Sequence, residues 1–276
     1  MKRFLHCAAA VLAVFFLMCG MAGADMLQQF AGQKGKIDIA GGTAHIPVMN
    51  EAAKRIMTAN PDIRITVEGG GTGVGVQKAG EGLVDIGNTG RALSGDEVAK
   101  YGLVSFPFAV DGVTVVLNPA NSVSALTSAQ VQDIFAGKIT NWKDVGGADA
   151  AITLYTRDEA SGTREVFWGK LLKKGAIADK ANVVASNGAM KVAVSQDAQG
   201  IGYMSIGFVD AAVKAPLLDG AEPSQDNAKS GAYKIARMLY MNTKGEPQGL
   251  TKLFIDYVTG PECTEIISKA GYIPLR

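Results

Sequence analysis

Short apolar runs rich in valine and isoleucine alternate along this chain with segments whose apolar residues recur every three to four positions. Lys36 to Ala40, Ile63 to Val67, Val84 to Gly87, Val113 to Leu117, Ile152 to Tyr155 and Ile235 to Met241 have the length and composition of strands. Segments 47–59, 74–82, 128–136, 162–172 and 248–258 have the helical period, the first stopped by Asn60-Pro61 and the last by Gly260-Pro261. This alternation predicts α/β architecture with mainly parallel sheets. No low-complexity linker or fixed-period repeat interrupts it, so any passage between two lobes must run through ordinary segments. Asp111-Gly112, just ahead of the Val113 strand, is a candidate hinge, and equally an ordinary turn.

The first residues follow a different pattern. Lys2 and Arg3 precede an apolar stretch from Cys7 to Met21, and Ala22-Gly23-Ala24 fits the small-residue cleavage site of a secretory signal. A signal peptide over 1–24 is therefore expected, with export to the periplasm. The apolar run is shorter than the ~20 residues a spanning helix needs. Met18 ahead of Cys19 departs from the small residue that lipid attachment requires, so lipoprotein anchoring is not expected.

The net charge of +1 supplies no broad basic field, which argues against nucleic acid or an anionic membrane as partner. After cleavage Cys263 is the remaining cysteine and reads as a packed thiol, leaving no disulfide or cysteine-based metal site. His45 is then the one histidine available as a general base, and the carboxylates are scattered without metal-ligand spacing. A catalytic or metal-dependent role thus has little basis in these residues, and the product should be a soluble monomer.

The chemistry gathers in four loops between strands and helices, where open α/β sheets bind ligands. They are Gly41-Gly42-Thr43-Ala44, Gly69-Gly70-Gly71-Thr72-Gly73, Gly87-Asn88-Thr89-Gly90-Arg91 and the run Thr156-Arg157-Asp158-Glu159-Ala160-Ser161-Gly162-Thr163-Arg164. Each offers glycine for close backbone approach and at least one hydroxyl. In the last, Ser161, Gly162 and Thr163 sit at a helix start with Arg157 nearby, and a guanidinium fork matches two oxygens of an oxyanion. Taken singly, that run also reads as a capped helix, and the Gly69 loop as a tight turn without a phosphate-loop lysine. Together they predict a local site that surrounds an oxyanion with neutral donors and one or two guanidinium groups. Asp158 or Glu159 is expected to steady Arg157, and Arg164 to face the helix surface.

These loops, with Asp85-Ile86-Gly87, the segment Asp133-Ile134-Phe135-Ala136-Gly137-Lys138-Ile139-Thr140-Asn141-Trp142, Ser186-Asn187-Gly188-Ala189, Gly200-Ile201-Gly202-Tyr203 and Tyr257 to Leu275, resemble the periplasmic phosphate-binding proteins of ABC transporters. The resemblance implies a type II periplasmic-binding-protein fold, two α/β lobes joined by two crossovers around a central cleft. We place lobe 1 at 25–111 with 236–276 and lobe 2 at 112–235. It implies inorganic phosphate as ligand, a membrane permease as partner, and neither catalysis nor cofactor. Position by position, Thr43 and Ala44, Thr72 with Gly73, and Arg157, Ser161, Gly162 and Thr163 would contact the anion, with Asn187, Gly188 and Ala189 lining the cleft.

The third loop departs from long-chain members, which often carry an aspartate there that accepts the proton of hydrogen phosphate. Asn88-Thr89-Gly90-Arg91 is closer to short members. Thr89 and Arg91 are candidate ligand residues, and Arg91 either reaches the anion or pairs with a neighbouring carboxylate. An arginine has no acceptor, so discrimination against sulfate cannot be assigned to this loop. Other tetrahedral oxyanions (sulfate, molybdate or tungstate), a phosphate sensor, and a secreted phosphoesterase using Ser161 or Thr163 are the competing readings.

Overall fold

The structure, a computed structural model, describes residues 26–276, and the signal peptide expected over 1–24 lies outside the described residues. The strands are β1 (Gly35–Gly41), β2 (Ile63–Gly70), β3 (Ile86–Thr89), β4 (Leu103–Leu117), β5 (Ala125–Leu126), β6 (Thr153–Arg157), β7 (Asn182–Val184), β8 (Gly200–Ser205), β9 (Leu217–Leu218), β10 (Ala236–Lys244) and β11 (Ile273–Pro274). The helices are α1 (Ile46–Ala59), α2 (Thr72–Gly80), α3 (Gly95–Tyr101), α4 (Ser128–Phe135), α5 (Gly162–Val166), α6 (Asn187–Gln196), α7 (Gln225–Ser230), α8 (Gly249–Thr259) and α9 (Thr264–Lys269). A continuous sheet runs β2-β1-β3-β10-β4-β8-β6-β7, with β11 paired to β4 and a small β5-β9 pair apart.

The two largest apolar cores among the described residues hang on this sheet. One gathers Ile37, Ile39, Val48, Ile56, Ile86 and Phe108 with Leu239, Met241, Phe254 and Tyr272. The other gathers Val113, Val115, Phe135, Trp142, Leu154, Phe167, Ile201, Tyr203, Tyr233 and Ile235. The chain leaves the first core after Ala109, enters the second at Val113, and returns between Ile235 and Leu239. Both passages are strand backbone: Gly112 pairs with Ala236 and Asp111 with Arg237. Asp111-Gly112 is thus extended backbone within a 15-residue strand rather than a turn.

β1 is parallel to β2 and β3, and β6 to β7 and β8, but β10 is antiparallel to β3 and β4, and β4 to β8. Apolar periodicity carries no strand direction, which is why the expectation of a mainly parallel sheet missed the long crossing strands. Pro107 interrupts the strand pattern in the first half of β4. Proline offers no ladder N–H, and the β4–β10 register shifts between Leu239 and Tyr240, beside the pairing of Tyr240 with Pro107.

The segment expected as one helix over 162–172 is α5 followed by a π-helical turn at Phe167–Leu171. Phe167 stacks flat on Tyr203 at 3.9 Å and meets Phe135 edge-on at 4.9 Å. Such pairs add about 0.5–1.5 kcal/mol each beyond area burial. They fix Tyr203, whose hydroxyl bonds the Thr156 hydroxyl at 2.9 Å and accepts from the Arg157 backbone N–H at 3.1 Å. Aromatic packing in the second core thereby sets the position of the arginine at the end of β6.

Candidate functional site

The four loops meet. β1, β2, β3 and β6 end at the same side of the sheet, and their loops come together around a cavity lined by Gly42, Thr43, Ala44, His45, Gly71, Thr72, Gly90, Arg157, Ser161, Gly162, Thr163 and Arg237.

The two halves touch around it. The Gly73 N–H donates to the Ala160 carbonyl at 3.0 Å, and Asn187 donates its side-chain amide to the Thr43 hydroxyl at 3.0 Å. Gly71 has φ +90°, and a Cβ there would lie 2.7 Å from the Ala160 carbonyl oxygen on the opposite face. Only glycine permits both the backbone conformation and this approach.

Hydroxyl polarity is set by the surrounding backbone. Thr72 Oγ1 accepts from the Gly90 N–H at 2.9 Å, Ser161 Oγ from the Arg164 N–H at 3.2 Å, and Thr43 Oγ1 from the Asn187 N–H at 3.3 Å as well as its amide. With these oxygens used as acceptors, each O–H remains free to donate. No carboxylate is among the residues lining the cavity.

Arg157 supplies the charge. Its side chain is buried at 2 % exposure, and Nη2 donates to the Ala185 carbonyl at 3.0 Å. Nε and Nη1 are buried with no hydrogen-bond partner among the described residues. Burial pushes its pKa below the ordinary value, yet a guanidinium starts so high that it stays charged. The expected steadying bond from Asp158 or Glu159 is absent: a carbonyl holds the fork, and Asp158 acts only as a nearby charge. Arg164 is half-buried with its Nε enclosed, rather than lying on the helix surface.

His45 is fully buried, with Nδ1 3.1 Å from the Gly42 carbonyl and Nε2 3.2 Å from that of Tyr240. Burial, helped by the Arg237 charge, pulls its pKa down to about 3, so the ring is neutral at neutral pH. Of the sequence candidates, Thr43, Ala44, Thr72, Arg157, Ser161, Gly162 and Thr163 line the cavity. Gly73, Thr89, Arg91, Asn187, Gly188 and Ala189 do not.

Those six stand behind the lining or outside it. The Gly73 N–H is used on Ala160. Thr89 donates to the Arg91 carbonyl and accepts from the Asn242 amide. The Arg91 guanidinium grips Glu97 with two nitrogens, at 2.7 and 2.8 Å, and pairs with Glu165 through its third. Of the two courses open to Arg91, the structure takes the carboxylate pairing. Asn187 braces Thr43 and accepts from the Ser205 N–H, and the Ala189 N–H is capped by Ser186. Gly188 lies between them in the first turn of α6.

The sequence reading missed Arg237 and its partner Asp111. Arg237 Nε donates to Asp111 Oδ2 at 2.9 Å, and Ser205 donates to Oδ1 at 2.6 Å. Burial pushes the Asp111 carboxyl above its usual range, against the pull of Arg237 and Ser205. A signal was present: Arg237 shares strand parity with Leu239 and Met241, which face the core, so a charge had to point inward.

Fold and site together define a two-lobed receptor that encloses a small solute, and the sequence model of the PBP superfamily domain matches residues 28–262. The chain belongs to that superfamily and, within it, to the family of the phosphate-binding protein PstS. It is 33% identical to the Bacillus subtilis PstS over 96% of this chain and 92% of that one. Among solved structures, a substrate-binding protein of a phosphate ABC transporter from Clostridium perfringens, with bound phosphate, superposes at TM-score 0.83 with 33% identity, covering 88% of this chain and 100% of that one. An ABC-type phosphate transport receptor from Vibrio cholerae gives TM-score 0.70 and 35% identity over 86% of this chain and 99% of that one.

Proposed function

We propose that this protein captures inorganic phosphate in the Arg157 cavity by closure of two lobes and delivers it to the membrane permease of an ABC transporter. The observation that carries the reading is the buried Arg157 guanidinium, whose Nε and Nη1 find no acceptor among the described residues. A buried charge without a partner costs several kcal/mol, and a tetrahedral oxyanion removes that cost by accepting from both nitrogens at once. The free O–H groups of Thr43, Thr72 and Ser161 complete a cradle of donors around it. The residues proposed to touch the anion are Thr43, Ala44, Thr72, Arg157, Ser161, Gly162 and Thr163.

Phosphate is favoured over sulfate, molybdate and tungstate because the Bacillus subtilis relative is named a phosphate-binding protein and the Clostridium perfringens structure holds phosphate. In this reading lobe 1 comprises 25–111 with 236–276 and lobe 2 comprises 112–235, and closure bends the strand backbone near Asp111 and Ala236. The two separate cores support that division. A receptor rather than a phosphoesterase is supported by the neutral, engaged His45 and the lack of a carboxylate base in the lining. Export through a cleaved signal peptide, and action in the periplasm, belong to the same reading. Among the described residues no helix is long and apolar enough to cross a membrane.

Isothermal titration of the exported protein with phosphate, sulfate, molybdate and tungstate tests the proposal. Phosphate should bind most tightly with one site per chain. Absence of phosphate binding, or a clear preference for another anion, would refute it.

A further inference from the structure

We infer that Arg237 is a second guanidinium donor to the bound anion, aimed by Asp111 into space that Gly90 leaves open. The inference rests on the phosphate-receptor reading and assigns a further binding residue to the same cavity. Arg237 lines the cavity, whereas Asp111 stands behind it, so the buried pair turns its positive end towards the ligand. The side chains are 3% and 0% exposed, which removes the solvent screening that makes surface pairs weak.

Asp111 does not use up the guanidinium. Nε makes the aligned bond, while Nη2 lies 2.8 Å from the same Asp111 oxygen without hydrogen-bond alignment and is otherwise unpartnered among the described residues. Nη1 lies on the Gly90 side: a Cβ built at Gly90 would fall 2.6 Å from it. Any side chain at position 90 would displace the guanidinium, so glycine in the third loop and arginine on β10 fit each other. The Ser205 hydroxyl on Asp111 Oδ1, at 2.6 Å, keeps the carboxylate from turning towards the cavity. A dianion thus meets Arg157 directly and the positive end of a neutral pair, with Asp111 as a positioning residue.

The alternative is that Arg237 and Asp111 merely join β10 to β4. Asp111→Asn, Arg237→Lys and the double variant Asp111→Asn/Arg237→Gln separate the two, each titrated with inorganic phosphate and melted without it. The double variant avoids stranding one buried charge. If Arg237 binds the anion, the folded double variant loses affinity by about tenfold or more, and Asp111→Asn, which weakens the hold that aims the guanidinium, binds phosphate more weakly than the parent. A folded double variant within about threefold of the parent overturns the inference.

If the double variant does not melt cooperatively, Arg237→Lys decides. It keeps the charge opposite Asp111 but not the fork, so weaker phosphate binding with a near-parental melting temperature supports the inference, and parental affinity overturns it. Failure of the parent protein to bind phosphate would instead refute the receptor reading, which keeps the two failures distinct.

Discussion

Replacing Arg157 by Met should separate ligand affinity from fold stability. Methionine is unbranched and keeps much of the volume while removing the charge and every donor. In the liganded protein the variant loses the two charge-assisted bonds that Nε and Nη1 are positioned to make. At about 1.5–3 kcal/mol each, this amounts to about 3–6 kcal/mol, or about a hundred- to ten-thousandfold in Kd.

In the unliganded protein the accounts nearly cancel. Loss of the bond to the Ala185 carbonyl costs about 1–3 kcal/mol, whereas exchanging a buried ionic group for a packed apolar one often gains about 1–4 kcal/mol. Melting without ligand should therefore change little, or rise. With phosphate at a hundred times the parental Kd, the parent gains about 2.7 kcal/mol of stability and the variant gains almost none. Calorimetric titration paired with thermal unfolding reads both effects. A Kd within about threefold of the parent, or an undiminished phosphate-dependent rise in melting temperature, would show that the fork does not hold the anion.

Other perturbations probe the surrounding structure. Gly71→Ala strains a φ of +90° and drives a Cβ to 2.7 Å from the Ala160 carbonyl across the cleft, so it should weaken phosphate binding by at least about tenfold, and parental affinity would refute tight closure there. His45 has a folded pKa of about 3 against 6.5 when unfolded, so between those values the unfolded chain binds a proton that the folded chain does not. Its contribution is complete above pH 6.5 and is lost as pH falls towards 3; between pH 7 and 4.5 the parent should lose about 2–3 kcal/mol more than His45→Gln in urea unfolding, and equal losses would refute the buried neutral ring. The Cys263 thiol is buried and pushed up to about 12, so it should resist thiol reagents in the native protein and react once unfolded; rapid native labelling would contradict its packing.

Much of this was legible in the chain. The strands at Lys36, Ile63, Val113, Ile152 and Ile235 announced themselves by length and β-branched content, and the four glycine-hydroxyl loops by their place after strands. Seven of the residues singled out line the cavity, because strand ends fix loop positions and a helix start fixes which N–H groups are free. Composition alone removed nucleic acid and cysteine-bound metals from consideration. Periodicity could not reveal that Leu103 to Val110 continues the Val113 strand through a proline, because β4 accommodates Pro107 with a bulge at Phe108 that only its pairing with β10 defines.

The local sequence thus determined the elements, the donor loops and the presence of a guanidinium at the end of β6. Tertiary structure decided which donors meet. Arg91 and Arg237 are the clearest case: both are single arginines beside plausible site segments, but Glu97 and Glu165 lie within reach of Arg91, while Asp111 leaves Arg237 facing the cavity. Glu165 and Asp111 come from chain segments 74 and 126 residues away from their arginines, and a charge is assigned by its spatial neighbours rather than by its sequence neighbours.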